Sequence, residues 1–275
     1  VVGQGRPAVK MAPTGSAEAS RSRSRLRTRR MVGTLLLAAL IVTVAYGGVR
    51  AIILLSALPL TEWRDIVLST VATSGRVAAA LVLSLAWTLP LGVAVGMNAR
   101  LANRLLPLVQ VTASVPATAL FPVLLLLLIG LSGGLNLAAI LLMLLGTQWY
   151  LLFNIIAGAM AIPEDLKYTT ATLGIRGLQR WRSFIVPAIF PYLVTGMITA
   201  TGGAWNASIV SEYVHFAGET RQTVGLGALI ASSSERADFP VLLAGTLTMV
   251  VVVVLINRLA WRRLYVLAEQ RFHLD

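Results

Sequence analysis

The sequence predicts an all-α integral membrane protein, and three observations carry that prediction. Hydrophobic residues make up 57% of the 275-residue chain, charged residues only 12%, and the mean hydropathy is +0.80. A soluble domain carries roughly 25% charged residues, about twice this share. Six apolar runs, each long enough for a helix across ~30 Å of hydrocarbon, lie at roughly 32–57, 76–97, 106–130, 134–161, 184–207 and 239–261. The third observation is that Lys and Arg are distributed unevenly over the segments between those runs. The runs show no period-two alternation and are too long for barrel strands.

Residues 1–30 are rich in Ser, Gly, Pro and Arg, with Arg6, Lys10 and six arginines from Arg21 to Arg30 against the single acid Glu18. That composition predicts a disordered basic tail. A basic cytosolic flank commonly precedes a first span, so nucleic acid is not an expected partner. The first span occupies 31–58, with Arg50 near its outer end, where it can snorkel to the headgroups. Leu60–Gly75 reads as a short outer surface segment, Asn98–Arg104 as an inner loop and Leu131–Gly134 as a tight outer turn. Ala207–Asp238 is the longest outer loop, and its TVGLGALI stretch reads as a short helix folded back on the bundle. On this arrangement 18 of the 23 Lys and Arg residues fall on the side of the tail. The remaining five are Arg50, Arg64, Arg76, Arg221 and Arg236, and the asymmetry puts both termini in the cytoplasm.

The polar interruption Ile162–Pro187 is written as structure. Pro163 suits the first position of a helix, and Glu164 and Asp165 fall in its first turn, where the helix dipole favours anions. Leu166, Thr170 and Leu173 recur at helical spacing, Gly174 stands where a C-terminal cap belongs, and Gly177 loosens the joint. A second short helix follows, basic at Arg180 and Arg182 but carrying Trp181, Phe184 and Ile185, and joins the next span at Pro187. The unit reads as helix, glycine turn, helix, lying on the cytoplasmic membrane surface.

Enzyme chemistry has no support. Cysteine is absent, only two histidines occur, and neither Lys10 nor Lys167 follows a glycine-rich phosphate loop. No metal site, cofactor site or ATPase site is therefore expected within the chain. The block Ser208–Val214 holds Ser and Glu without a histidine in register. The informative residues are polar groups inside apolar runs. Thr195, Thr199, Gly202 and Asn206 share one face of the fifth run, with Gly196, Ala200, Gly203 and Ala207 adjoining. In the third run Gln110, Ser114 and Thr118 align, and in the fourth Thr147 and Asn154 share a face with Gln148 beside it. Polar groups in hydrocarbon bond one another or line a wet path, so two readings stand: a translocation path, or interhelical hydrogen bonding. Gly92 and Gly96 form a GxxxG pattern that reads as helix packing.

The central loop resembles the cytoplasmic coupling loop of bacterial ABC-importer permeases of the binding-protein-dependent family. Their pattern is Glu-Ala-Ala, three residues, Gly, nine residues, then Ile-x-Leu-Pro. The spacing is met from Gly174 to Pro187, with Phe184 and Val186 in place of Ile and Leu and with Tyr168, Thr169 and Thr170 at the Glu-Ala-Ala positions. ATGGAWNASIVSEY, an outer GLG and a last span with a basic, Trp-bearing flank resemble the nitrate, sulfonate, taurine and bicarbonate permeases, over about Leu60 to Phe272. The resemblance implies a type I importer bundle of about six helices in the bacterial inner membrane, its first helix peripheral to a core domain over 59–275. It further implies half of a translocation pathway for a small polar, anionic solute, and on the path reading of the polar faces above Gln110, Ser114, Gln148, Thr195, Thr199 and Asn206 line it. ATP would be bound by separate ATPase subunits docked at Glu164, Asp165, Tyr168, Thr169, Thr170, Gly174, Arg180 and Pro187. A second permease subunit, identical or not, and an extracytoplasmic solute-binding protein complete the expected assembly. The alternative is a stand-alone secondary transporter or channel. It calls for a mid-span Asp or Glu, which the sequence does not offer, and an inverted-repeat carrier calls for an internal repeat that is not found.

Overall fold

A computed structural model describes the backbone of residues 15–271 and the side-chain surroundings of residues 31–266. Residues 1–14 of the expected tail lie outside the described residues. The chain divides into two compact units, 1–56 and 57–275. The first is a single helix, α1 (Gly15–Ser56), whose stretch Met31–Ser56 is long and apolar enough to cross a membrane. Residues 15–30 form the first part of this helix, in which nothing between Ser16 and Val32 is Gly or Pro. Within α1 the Arg50 guanidinium lies 5.8 Å from the Tyr46 ring centre, one turn back.

The second unit opens with α2 (Leu60–Gly96), one helix of 37 residues. Here the expected surface segment 60–75 is corrected: it forms the first four turns of the same helix. Its hydroxyls do not break the helix because they bond back to it, Thr70 to the Ile66 carbonyl at 2.7 Å and Ser74 to the Thr70 carbonyl at 2.7 Å. Ile66, Ser69 and Thr73 are buried, so this part packs on the unit.

The third run is also corrected. α3 (Ala99–Ala113) starts within the expected inner loop, capped by Asn98, whose side chain accepts from the amides of Arg100 at 3.0 Å and Leu101 at 3.2 Å. It stops at Ser114, and α4 (Ala117–Leu128) leaves at a bend of 76°. Pro116 is the cause: it excludes the helical conformation at Val115 and supplies no amide to continue α3.

α5 (Gly134–Met160) is the central helix, packed against α2 and, on its other side, α8 (Val186–Ser211). The GxxxG pair seats it. A Cβ on Gly92 would lie 2.7 Å from the Ile155 side chain, and one on Gly96 would lie 2.6 Å from the Ile156 carbonyl oxygen. The small residues of α8 do the same on its other flank: Gly196 faces Asn154 and Tyr150, Gly203 faces Tyr150 and Thr147, and Ala200 is fully buried. Between α5 and α8 come α6 (Glu164–Thr172), α7 (Gly177–Arg180) and a π-helical turn (Trp181–Ile185).

After α8 the chain forms a hairpin, β1 (Tyr213–Phe216) with β2 (Glu219–Gln222), antiparallel with Phe216 opposite Glu219. Its two-residue turn, Ala217–Gly218, has φ values of 53° and 82°. The sequence reading of 207–238 did not contain this hairpin. α9 (Leu226–Glu235) is the short helix expected from TVGLGALI. α10 (Phe239–Ile256), a second π-helical turn (Asn257–Trp261) and α11 (Arg262–Arg271) complete the unit. Among the described residues five helical segments are long and apolar enough to cross a membrane, and the bent α3–α4 pair makes a sixth if it counts as one span.

Candidate functional site

Three groups of residues stand out, beginning with the loop between α5 and α8. α6 follows Pro163, with Glu164 and Asp165 in its first turn and Glu164 paired to Lys167 at 2.8 Å. It ends in a Schellman motif. Gly174 takes φ +64°, its amide donates to the Ala171 carbonyl at 3.1 Å, and the Ile175 amide donates to the Thr170 carbonyl at 3.2 Å. Of the face expected to be apolar, only Thr170 is buried, its hydroxyl donating to the Leu166 carbonyl. Tyr168, Leu173 and Leu178 are 70%, 69% and 70% exposed, an apolar surface that the described residues do not cover. Thr169 is exposed, with its hydroxyl on the Asp165 carbonyl at 2.8 Å.

The second short helix of this loop does not stand apart. α7 runs through the π turn directly into α8, so Gly177–Ser211 is one apolar helical segment. Pro187, half-buried in the first turn of α8, interrupts nothing: the Val186 amide reaches back to the Trp181 carbonyl, and the ladder changes register just before the residue that has no amide. Arg180 lies half-buried at the end of α7.

The second group is the polar face of α8. Thr195, Thr199 and Asn206 are all exposed, on the face adjoining the glycines that meet α5. The Thr195 hydroxyl donates to the Pro191 carbonyl at 3.0 Å and the Thr199 hydroxyl to the Thr195 carbonyl at 3.1 Å, so both are satisfied within their own helix. Asn206 has no such partner among the described residues. The other residues expected on a path do not join this face. Gln148 is buried inside α5. Gln110 and Ser114 are exposed at the end of α3, with the Ser114 hydroxyl on the Val111 carbonyl at 2.6 Å. The break at Pro116 takes Thr118 out of register, so the straight Gln110–Ser114–Thr118 line does not form.

The third group was not foreseen. Arg76 and Glu212, 8% and 0% exposed, form an ion pair with 2.6 Å between Nη1 and Oε1. Thr73 donates to both carboxylate oxygens at 2.8 and 2.9 Å and accepts the Leu226 amide at 2.8 Å. The amides of Gly227 and Ala228 reach Oε2 of Glu212 at 2.9 and 3.3 Å, so this carboxylate caps the N-terminus of α9 from a distant part of the chain. Arg76 spends its other donors on Asn136 Oδ1 (2.9 Å from Nε, 2.7 Å from Nη2), Thr223 Oγ1 (3.0 Å) and the Val224 carbonyl (2.6 Å). Burial pushes the Glu212 carboxyl up from its ordinary value, while Thr73, Arg76 and the Ala228 amide pull it back. Gly225 is glycine for contact reasons: a Cβ there would lie 2.2 Å from Glu212 Oε2. The sequence signal was a lone Arg and a lone Glu at the ends of apolar runs, a pairing that sequence distance hides.

Residues 88–272 match the sequence profile of the binding-protein-dependent transport system inner membrane component. The nitrate import permease protein NrtB of Synechococcus elongatus is 28% identical over 137 residues, 50% of this chain and 48% of that protein. The bicarbonate transport system permease protein CmpB of the same organism is 26% identical over 199 residues, 72% of this chain and 68% of that protein. The taurine transport system permease protein TauC of Escherichia coli is 24% identical over 186 residues, 68% and 64% of the two chains. The chain thus spans about half the length of the NrtB relatives and about two thirds of the Synechococcus elongatus CmpB and the Escherichia coli TauC. The profile match covers well over half of the sequence and takes in α5, the Gly174 loop, α8 and Glu212, so the chain belongs to the family of binding-protein-dependent transport system inner membrane components.

Proposed function

We propose that this chain is the permease subunit of an ABC importer and contributes half of the pathway for a small oxyanion. The observation that carries the reading is the uncovered apolar surface of Tyr168, Leu173 and Leu178 beside the Gly174 turn. A short helix with an apolar flank, closed by its own Schellman motif and placed after the C-terminal end of α5, suits the groove of a separate ATPase subunit. Glu164, Asp165, Thr169, Thr170 and Arg180 surround that contact, and Pro187 ties it to α8. ATPase closure then pushes α6, and the push reaches the span directly, because α7, the π turn and α8 are one continuous helical segment.

The exposed face Thr195, Thr199 and Asn206 is the proposed path wall. An amide without a partner on a spanning helix is costly against lipid and cheap against water or a second permease subunit. The solute class rests on relatives whose names specify nitrate, bicarbonate and taurine, all small molecules that present anionic oxygens. An extracytoplasmic solute-binding protein delivers the solute to the side of the hairpin and α9, and a second permease subunit supplies the other half of the wall. The test is Gly174→Val in the reconstituted complex. A β-branched residue is strained at φ +64°, so α6 loses its cap while the spans remain. Stimulation of ATP hydrolysis by loaded binding protein is expected to fall at least tenfold, a loss of about 1.4 kcal/mol in coupling. Full stimulation with normal ATPase capture would remove the coupling role of this loop.

A further inference from the structure

From Phe239 to Val266 the chain carries Arg258, Arg262 and Arg263 and no acidic residue. All three arginines are exposed, and none of their guanidinium groups has an ion-pair or hydrogen-bond partner among the described residues. Two grooves flank them. One, of about 660 Å³, is lined by Ile198 of α8 with Val254, Asn257, Arg258, Arg262 and Tyr265. The other, of about 400 Å³, is lined by Arg258, Leu259, Arg262, Arg263 and Val266. Arg258 and Arg262 stand between the grooves and belong to both. Each groove combines arginines with apolar side chains, Ile198 and Val254 in the first and Leu259 and Val266 in the second.

The depth is set by the helix. Arg258 follows Phe239 by nineteen residues, about 29 Å at 1.5 Å per residue, so it reaches the far headgroup layer of a ~30 Å hydrocarbon core. The π turn Asn257–Trp261 lies at that same level. We propose that these grooves form a binding site for an anionic phospholipid of the leaflet that the basic asymmetry assigns to the cytoplasm. The phosphate is held by Arg258 and Arg262, and an acyl chain lies along Val254 and Ile198. Charge selects the lipid. Three guanidinium groups with no carboxylate beside them among the described residues have nothing to offer the ammonium of a zwitterionic headgroup, whereas a net negative headgroup is matched. The apolar walls favour a lipid over a free anion, which leaves Val254, Ile198 and Leu259 without a partner. The site does not depend on the transport reading, since α10, its π turn and α11 play no part in the coupling loop or in the proposed path.

The test uses the full chain purified in a non-ionic detergent, with lipid adducts read by native mass spectrometry. Phosphatidylglycerol is expected to be retained over phosphatidylcholine by about 25-fold, at about fivefold per arginine. Arg258→Gln/Arg262→Gln should bring the two lipids level. Arg258→Lys/Arg262→Lys should keep most of the preference, and Arg100→Gln/Arg104→Gln on α3 should keep all of it. Should the double glutamine variant fail to fold, the wild type alone decides: phosphatidylglycerol adducts fall steeply with added salt and phosphatidylcholine adducts do not. Equal retention of the two lipids by the wild type would overturn the site. So would an equal loss in the α3 variant, which would mean unspecific surface charge. Displacement of phosphatidylglycerol by millimolar inorganic phosphate would overturn the lipid as occupant and leave a plain anion site.

Discussion

A single carboxylate holds together segments that are far apart in the chain. Glu212 receives the Thr73 hydroxyl, the Arg76 guanidinium and two amides of α9, and is fully buried. Removing one member of such a pair leaves the other charge uncompensated, which costs roughly 3–5 kcal/mol. Glu212→Ala is therefore expected to lower the unfolding temperature strongly in detergent, and Arg76→Met/Glu212→Leu to recover a large part of the loss. Equal destabilisation by the double and single variants would show that the hydrogen bonds to the segment 223–228, and not the charge pair, carry the effect. Gly225→Ala probes the same cluster sterically, since its Cβ would lie 2.2 Å from Glu212 Oε2. Overpacking of that kind costs about 1–3 kcal/mol, measured by the same melting experiment.

The helices divide into those whose faces were legible and those whose course was not. Gly92 and Gly96 were readable as a packing seam because GxxxG is local, and the structure sets both against α5. Gly96→Leu should prevent that seat, since even a Cβ meets the Ile156 carbonyl oxygen at 2.6 Å, and the expected outcome is aggregation on size exclusion where Gly75→Leu, in open space, stays monodisperse. The continuity of α2 was hidden because Ser and Thr look like punctuation in a sequence yet bond back to their own helix. The bend at Pro116 was hidden for the opposite reason: the apolar run continues through it, and hydropathy does not register a missing amide. The polar face of α8 was legible as a face, and its test lies in transport. Thr199→Trp is expected to abolish solute uptake, and Asn206→Leu to reduce it at least tenfold, without loss of assembled complex. Uptake surviving both changes would assign the face to contact with a second subunit.

At the scale of the whole molecule, topology follows from the basic asymmetry, and the absence of native cysteine makes it directly measurable. Single cysteines at Ser132 and Glu219, both exposed, should react with an impermeant maleimide in intact cells. Cysteines at Asn103 and Thr172, also exposed, should react only after the membrane is opened. Labelling of Thr172→Cys in intact cells would invert the molecule and separate the Gly174 loop from any cytoplasmic ATPase. The general architecture was open to sequence reasoning because hydropathy and charge are sums over many residues, and sums tolerate local error. The Arg76–Glu212 cluster was not, because it rests on two residues 136 positions apart whose meaning exists only once α2, α8 and α9 are packed.

That separation has a consequence for how the chain is made. At about 5–20 residues per second, synthesis of the stretch from Arg76 to Glu212 takes on the order of ten seconds. During that interval α2 enters the bilayer carrying, near its middle, a cation whose counter-charge has not yet been translated. The growing chain must keep Arg76 near water, at the lipid boundary or in the insertion machinery, until α8 arrives and the knot can close. Biogenesis is thereby constrained from within: the seat of α2 is complete only after Glu212 has been made, and a nascent chain stalled ahead of Glu212 carries Arg76 without its counter-charge.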